Sequence, residues 1–204
     1  MENILKYNIT ILGYSNVGKT SMISILNDEN FDDSGLITVA LDYSLKEIKI
    51  GNNKCIFKIY DTPGVESQKY VSASTINNAH GIILLYSIDN RTSFSEIDYW
   101  LKIIEERINK KKIPIIIVAN KVDLDYRIIS KEEGQKYAED KGLKYFEISS
   151  KNEFNIKETF KVLFEDIYNL YSYIDLKNYK RSNIAYKNLK KKQYISLLMK
   201  YINK

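Results

Sequence analysis

Gly13-Tyr14-Ser15-Asn16-Val17-Gly18-Lys19-Thr20 reads G-x-x-x-x-G-K-T. Ile9-Thr10-Ile11-Leu12 precede it as an apolar run of strand composition, and Met22 to Leu26 follow as a helical run. That context turns a pattern into a phosphate-binding loop. The glycines let backbone N–H groups close around a polyphosphate, and the next helix aims its positive end at the same point. Lys19 would reach the β and γ phosphates and Thr20 would ligate Mg²⁺. Ser15, Asn16, Val17, Gly18 and Ser21 complete the set expected at the phosphates. An ordinary glycine-containing turn is the plain alternative, against which the rest of the chain is weighed.

Outward from this loop, strand-like apolar runs alternate with helix-period runs, the pattern of a mostly parallel sheet covered by helices on both faces. A first strand, about Lys6 to Leu12, feeds the loop, and the helix after it ends near Leu26, where Asn27-Asp28-Glu29-Asn30 are poor helix formers. Ala40 to Ile50 and Lys54 to Tyr60 flank the turn cluster Gly51-Asn52-Asn53 and form the one antiparallel hairpin. Gly81 to Ser87 and Ile113 to Ala119 are buried strands. Between them Phe94, Ile97, Leu101, Ile104 and Ile108 recur at helical spacing as core. Ser130 caps a further helix with Glu133 three residues on, Tyr145 to Ile148 is the last strand, and Phe160, Leu163, Phe164 and Ile167 mark a final amphipathic helix.

The chain's 204 residues suit one α/β domain with an appendage. One cysteine, Cys55, excludes an internal disulfide and a Cys-based zinc cluster, and reads as a packed strand residue. No run approaches 18 apolar residues, and Met1-Glu2-Asn3 lacks the form of a signal peptide, so a cytoplasmic chain is expected. Charge is divided unevenly: residues 172–204 hold nine Lys or Arg against one acid, Asp175, which makes that end +8 and the remainder −3 of the total +5.

Ligand chemistry in open α/β sheets gathers beyond the carboxyl ends of the strands, and the motifs fall there. Asp61-Thr62-Pro63-Gly64 ends a strand with a carboxylate that can hold Mg²⁺ through water, while the Gly64 N–H can meet a γ phosphate. Asn120-Lys121-Val122-Asp123 ends another and offers a carboxylate acceptor for the paired N1–H and N2–H donors of guanine, which adenine lacks. Ser149-Ser150-Lys151 ends the last, so three loops converge on one base.

Together these motifs resemble the small GTPases of the Ras superfamily, nearest the Rab branch, over about residues 5 to 172. Gly13 to Thr20, Thr38, Asp61 to Gly64, Asn120 to Asp123 and Ser149 to Lys151 match the five family motifs in order, and Ala79-His80-Gly81 and Tyr99-Trp100-Leu101 also follow the Rab pattern. The resemblance implies a P-loop GTPase (Ras-like) fold, a six-stranded mixed sheet with about five helices, and GTP or GDP bound with Mg²⁺. It implies that Phe31 stacks edge-on against guanine, that Thr20, Thr38 and Asp61 hold the metal, and that Lys19, Thr38 and Gly64 serve the reacting phosphate. Asn120, Lys121, Asp123, Ser149, Ser150 and Lys151 would hold the base. Residues 31–43 and 62–76 would meet an exchange factor, an activating protein and effectors in a trafficking or signalling role. His80, the only histidine, reads as structural.

Departures from the family matter as much. Val65 stands where the family carries a glutamine that orients the attacking water, and an isopropyl group neither donates nor accepts a hydrogen bond. Intrinsic hydrolysis is therefore expected to be slow. Pro63 replaces the usual alanine and stiffens a segment that must move, and Ser15 and Asn16 replace small residues near the γ phosphate. Either a partner supplies the missing group, with Glu66 or Gln68 as internal candidates, or the protein is a GTP-bound recruiting module with vestigial hydrolysis. An RNA- or ribosome-associated GTPase ranks below both, since no separate RNA-binding domain is seen, and nucleic acid is accordingly the last-ranked partner.

The basic, helix-prone extension 173–204 lies outside the resemblance. It has no cysteine, so no prenyl anchor is expected on it. A helix from about Ala185 would place Lys187, Lys190, Lys191 and Lys192 beside Leu189, Ile195, Leu198, Met199 and Ile202, a form suited to peripheral contact with an anionic membrane, a solvated tail or a helix packed on the globule.

Overall fold

The computed structural model describes residues 4–31, 38, 40–64, 69–108 and 113–182, with backbone alone for 69, 71 and 173–182. Val65, Glu66 and Gln68, most of the first expected switch, and the helix expected from Ala185 lie outside the described residues. In chain order the elements are β1 (Ile4–Leu12), α1 (Lys19–Leu26), β2 (Asp42–Ile50), β3 (Asn53–Asp61), α2 (Lys69–Ile76), β4 (Gly81–Ser87), α3 (Arg91–Ile108), β5 (Ile115–Asn120), α4 (Lys131–Asp140), β6 (Lys144–Glu147) and α5 (Ile156–Ser182). The chain divides into two compact units, Met1–Tyr168 and Asn169–Lys204.

All six described strands form one sheet in the order β2-β3-β1-β4-β5-β6. Only β2 and β3 run antiparallel, closing on the pair Ile50 and Asn53 with Gly51-Asn52 as the turn. From β1 the chain winds first toward β3 and then, from β4 onward, away on the other side. β1 is thus the point where the winding reverses, and the crevice beyond its carboxyl end is where such sheets bind ligands.

Burial explains the arrangement. Every residue of β4 is buried, as a parallel strand covered on both faces requires. Ile82, Leu84 and Tyr86 join Phe94, Ile97, Trp100, Ile104 and Ala138 in one core cluster. Ile83 and Leu85, one residue out of phase, face the opposite layer. There Phe57 of β3 stacks on Phe164 of α5 with ring centroids 4.1 Å apart, and Phe160 lies 5.7 Å from Phe164. Trp100 rather than Leu101 is the fully buried residue in the middle of α3.

Local expectations for single residues resolve clearly. The Ser130 hydroxyl accepts the Glu133 N–H at 3.0 Å as an N-cap, while the Glu133 carboxylate turns away to pair with Arg91. Cys55 is buried in β3. His80 is structural: its Nδ1 accepts the Asn8 N–H at 2.9 Å, and its own N–H donates to the Asn8 carbonyl at 2.7 Å. Among the described residues no helix is long and apolar enough to cross a membrane.

The Phe57–Phe164 stack joins sheet to helix in a closed core, so Phe164→Ala should lower unfolding free energy by about 3–5 kcal/mol, read as a shifted urea midpoint.

Candidate functional site

The phosphate loop begins where β1 ends. Gly18 caps α1 in the left-handed region, at φ 90 and ψ 33, with no side chain capping the helix. α4 spends a serine hydroxyl on its first turn. α1 does not, so its leading N–H groups are left to an anion. Asn16 also holds positive φ, at 60, a conformation asparagine tolerates better than most residues.

Lys19, only 6% exposed, donates from Nζ to the carbonyls of Gly13 at 3.0 Å and Tyr14 at 2.8 Å. Burial pulls its pKa down to about 8, opposed by the charge of Asp61. Asp61 is pushed the other way: burial raises its pKa, against the Thr20 hydrogen bond and the Lys19 charge. Each charge is thus held in a place that disfavours it, which suits both to a charged ligand.

Three expected metal ligands stand together. The Thr20 hydroxyl donates to Asp61 Oδ2 at 2.7 Å and lies 2.6 Å from the Thr38 hydroxyl. Asp61 Oδ1 is buried with no hydrogen-bond partner among the described residues. Two hydroxyls and an orphaned carboxylate oxygen are hard oxygen donors, and they fit Mg²⁺, which takes few protein ligands and completes its shell with phosphate and water. Gly64 presses on the same loop: a Cβ built there would stand 2.6 Å from both Lys19 Nζ and Ser15 Cα. Only glycine permits that approach, and any side chain would displace the lysine or the loop. Ser15 Oγ is likewise buried without a partner among the described residues.

At the far end, Asn120 gathers three loops. Its Nδ2 donates to the Val17 carbonyl at 2.8 Å and to Ser150 Oγ at 3.1 Å. Its Oδ1 accepts the Lys121 N–H at 2.7 Å and the Ser150 N–H at 3.1 Å. Gly18 lies so close that a Cβ there would strike the Asn120 amide. Ser149 Oγ donates to Asp123 Oδ1 at 2.5 Å and orients that carboxylate. Lys121, at φ 67, reaches to within 3.7 Å of Asp89 Oδ2. Val17 is buried, Ser21 and Phe31 are half-buried, and Lys151 is exposed beside the last loop.

Several supporting residues carry no sequence signal. Thr62 Oγ1 donates to the Ile11 carbonyl at 2.6 Å and sews the end of β3 to β1. Ser72 Oγ, in α2, donates to the Pro63 carbonyl at 3.0 Å. Arg127, after the Asn120 loop, pairs with Glu147 of β6 at 2.7 Å, and Glu147 also accepts from Tyr145 at 3.0 Å. A hydroxyl whose partner lies 51 residues away follows no local period, and only the register of neighbouring strands could have exposed it.

A family model described as the Ras family matches residues 8–169. The Ras-related protein Rab-8B of Bos taurus is 33% identical over 162 residues, covering 79% of this chain and 78% of that protein. Rab-10 of Diplobatis ommata is 32% identical over 164 residues, 80% of this chain and 82% of its own. Rab-13 of Bos taurus is 32% identical over 162 residues, 79% of each.

The lowered pKa of Lys19 has a signed consequence for the nucleotide-free protein. A folded value near 8 against 10.5 unfolded means that the unfolded chain binds the extra proton between them. The Lys19 contribution to stability is full above about 10.5 and is lost as pH falls through about 8. Relative to Lys19→Met, the wild type should therefore gain up to about 3 kcal/mol between those limits, measured as the difference in urea midpoint.

Proposed function

The chain belongs to the Ras family, and on that premise we propose that it is a guanine-nucleotide switch that binds GTP and GDP with Mg²⁺ and hydrolyses GTP slowly unless a partner assists. The observation that carries this reading is the Asn120 carboxamide, which ties the phosphate loop to the loop of Ser149, Ser150 and Lys151 while Ser149 holds Asp123. Such an assembly suits a base at one end and a polyphosphate at the other.

On this reading the Asp123 carboxylate accepts the two guanine donors, and Phe31 and Lys121 flank the base. Lys19 and the loop N–H groups neutralise the β and γ phosphates as charge moves toward the leaving group. Thr20, Thr38 and Asp61 would hold Mg²⁺, which would offset the charge of the phosphates. The Thr38 and Gly64 backbones read the γ phosphate, and residues 31–43 and 62–76 carry that state to an exchange factor, an activating protein and effectors. Next to these segments Tyr43 and Leu45 of β2 and Tyr70 of α2 are exposed, and the Lys58 ammonium sits 3.7 Å over the Tyr43 ring. This aromatic face suits partner docking in a trafficking or signalling role, and the basic extension 173–204 suits peripheral contact with an anionic membrane.

Val65 favours a second reading, a GTP-bound recruiting module with vestigial hydrolysis, because it brings no amide to the attacking water. Single-turnover hydrolysis beside Val65→Gln tests the second. A slow wild type with a faster variant makes the missing amide limiting. Equal rates mean that another residue positions the water and end the vestigial reading. Base recognition is tested by Asp123→Ala, which should weaken GDP and GTP alike by about 10² or more, with ATP failing to compete in the wild type. Undiminished GDP binding by that variant would refute the guanine assignment.

A further inference from the structure

Resting on the switch reading above, we propose that Ser72 is a positioning residue for the γ phosphate: its hydroxyl, fixed on the Pro63 carbonyl, aims the Gly64 N–H at the phosphate loop. The Pro63 carbonyl and the Gly64 N–H belong to one peptide unit. That unit is planar, and no cis peptide occurs in the described chain, so carbonyl and N–H point in opposite directions. Whatever holds the carbonyl therefore sets the direction of the N–H.

Ser72 Oγ donates to that carbonyl at 3.0 Å, and the serine is fully buried. On the other side of the same residue pair, Gly64 abuts Ser15 and Lys19, with a built Cβ 2.8 Å from the Ser15 nitrogen. The peptide is thus clasped between α2 and the phosphate loop. Its remaining freedom is small. Pro63 has its φ closed by the pyrrolidine ring, and the Ser72 bond restrains the following ψ. Thr62, one residue earlier, is held by its own hydroxyl on the Ile11 carbonyl at 2.6 Å. Both torsions ahead of the sensing amide are therefore constrained, one covalently and one through a helix.

Ser72 is itself held in place. Thr75 Oγ1 donates to the Ser72 carbonyl at 2.7 Å, and the Thr75 carbonyl accepts from Thr10 of β1 at 3.4 Å. Buried hydroxyls thus connect the strand that leads into the phosphate loop, through α2, to the peptide that would read the γ phosphate. Only a triphosphate meets the Gly64 N–H, since a diphosphate ends one group short. Ser72 should accordingly favour GTP over GDP, whereas a hydroxyl that merely stabilised the fold would affect both alike.

The test is the ratio of GTP-analogue to GDP affinity in the full chain with Mg²⁺, for wild type, Ser72→Ala and Thr159→Ala, using a non-hydrolysable triphosphate. Ser72→Ala should weaken the triphosphate about five- to ten-fold, the worth of one aligned hydrogen bond, and leave GDP within about two-fold. Thr159→Ala removes an equally buried hydroxyl, bonded to the Asn155 carbonyl at 2.7 Å and taking no part in the chain that holds Ser72, so it should lower the unfolding midpoint with the ratio unchanged. If Ser72→Ala does not fold, Ser72→Cys fills the same space with a weak donor and should lose the preference in part. An unchanged ratio in the folded Ser72 variant overturns the proposal while leaving the switch reading intact. A wild type that binds neither nucleotide overturns both.

Discussion

One buried carboxamide holds the nucleotide end of this protein together. Asn120, at the end of β5, uses its oxygen on the Lys121 and Ser150 N–H groups and its nitrogen on the Val17 carbonyl and the Ser150 hydroxyl. Val17 lies in the phosphate loop and Ser150 in the loop after β6, so segments separated by 103 and 30 residues meet on one side chain. In a buried setting each such bond is stronger than in water, and each group left unpaired would be costly. The loops share a common geometry through this side chain, and on the proposed reading base binding then requires less ordering.

The opposite end works through charge held away from water. Lys19 and Asp61 are both buried, their pKa values displaced in the directions that desolvation dictates. Neither receives a full partner among the described residues: the lysine rests on two loop carbonyls, and one oxygen of the aspartate has no donor there. On the proposed reading a polyphosphate supplies the negative charge that Lys19 lacks, and a divalent cation the positive charge that Asp61 lacks. Two buried and oppositely charged groups of this kind suit a site for a charged ligand. The close approach of Gly64 to this loop brings the second switch into the same arrangement through its backbone.

What lies between the two ends is a sheet whose middle is inert and whose first edge is not. β4 is buried throughout, and Phe57, Phe160 and Phe164 lock one helical layer to it. β2, at the edge, is exposed on the side that carries Tyr43 and Leu45, and through β3 it continues to Asp61. A rigid centre with a responsive rim is the division of labour that a two-state recognition protein needs, because discrete rearrangement requires a frame that does not move.

The sequence by itself determined the sheet and the chemistry of each loop. Apolar runs marked the strands and helical spacing marked the described helices other than α2 to within a few residues, and the order of G-x-x-x-x-G-K-T, D-x-x-G, N-K-x-D and S-S-K set the motifs' polar groups at strand ends, since these signals are local. Tertiary structure decided everything whose partner is distant in the chain: the Asn120 bonds, the Thr62 hydroxyl on Ile11, the Ser72 hydroxyl on Pro63 and the Arg127–Glu147 pair. It also set the depth of each side chain, burying Trp100 and leaving Leu101 partly buried against the same cluster, because both fit a helical period and only the packing distinguishes them. A serine in a short helix looks like any other serine until strand pairing brings a carbonyl within 3.0 Å of it. Hydrogen bonds are directional and short, so they are settled by register and close packing, whereas burial and periodicity are averages that a linear sequence already carries.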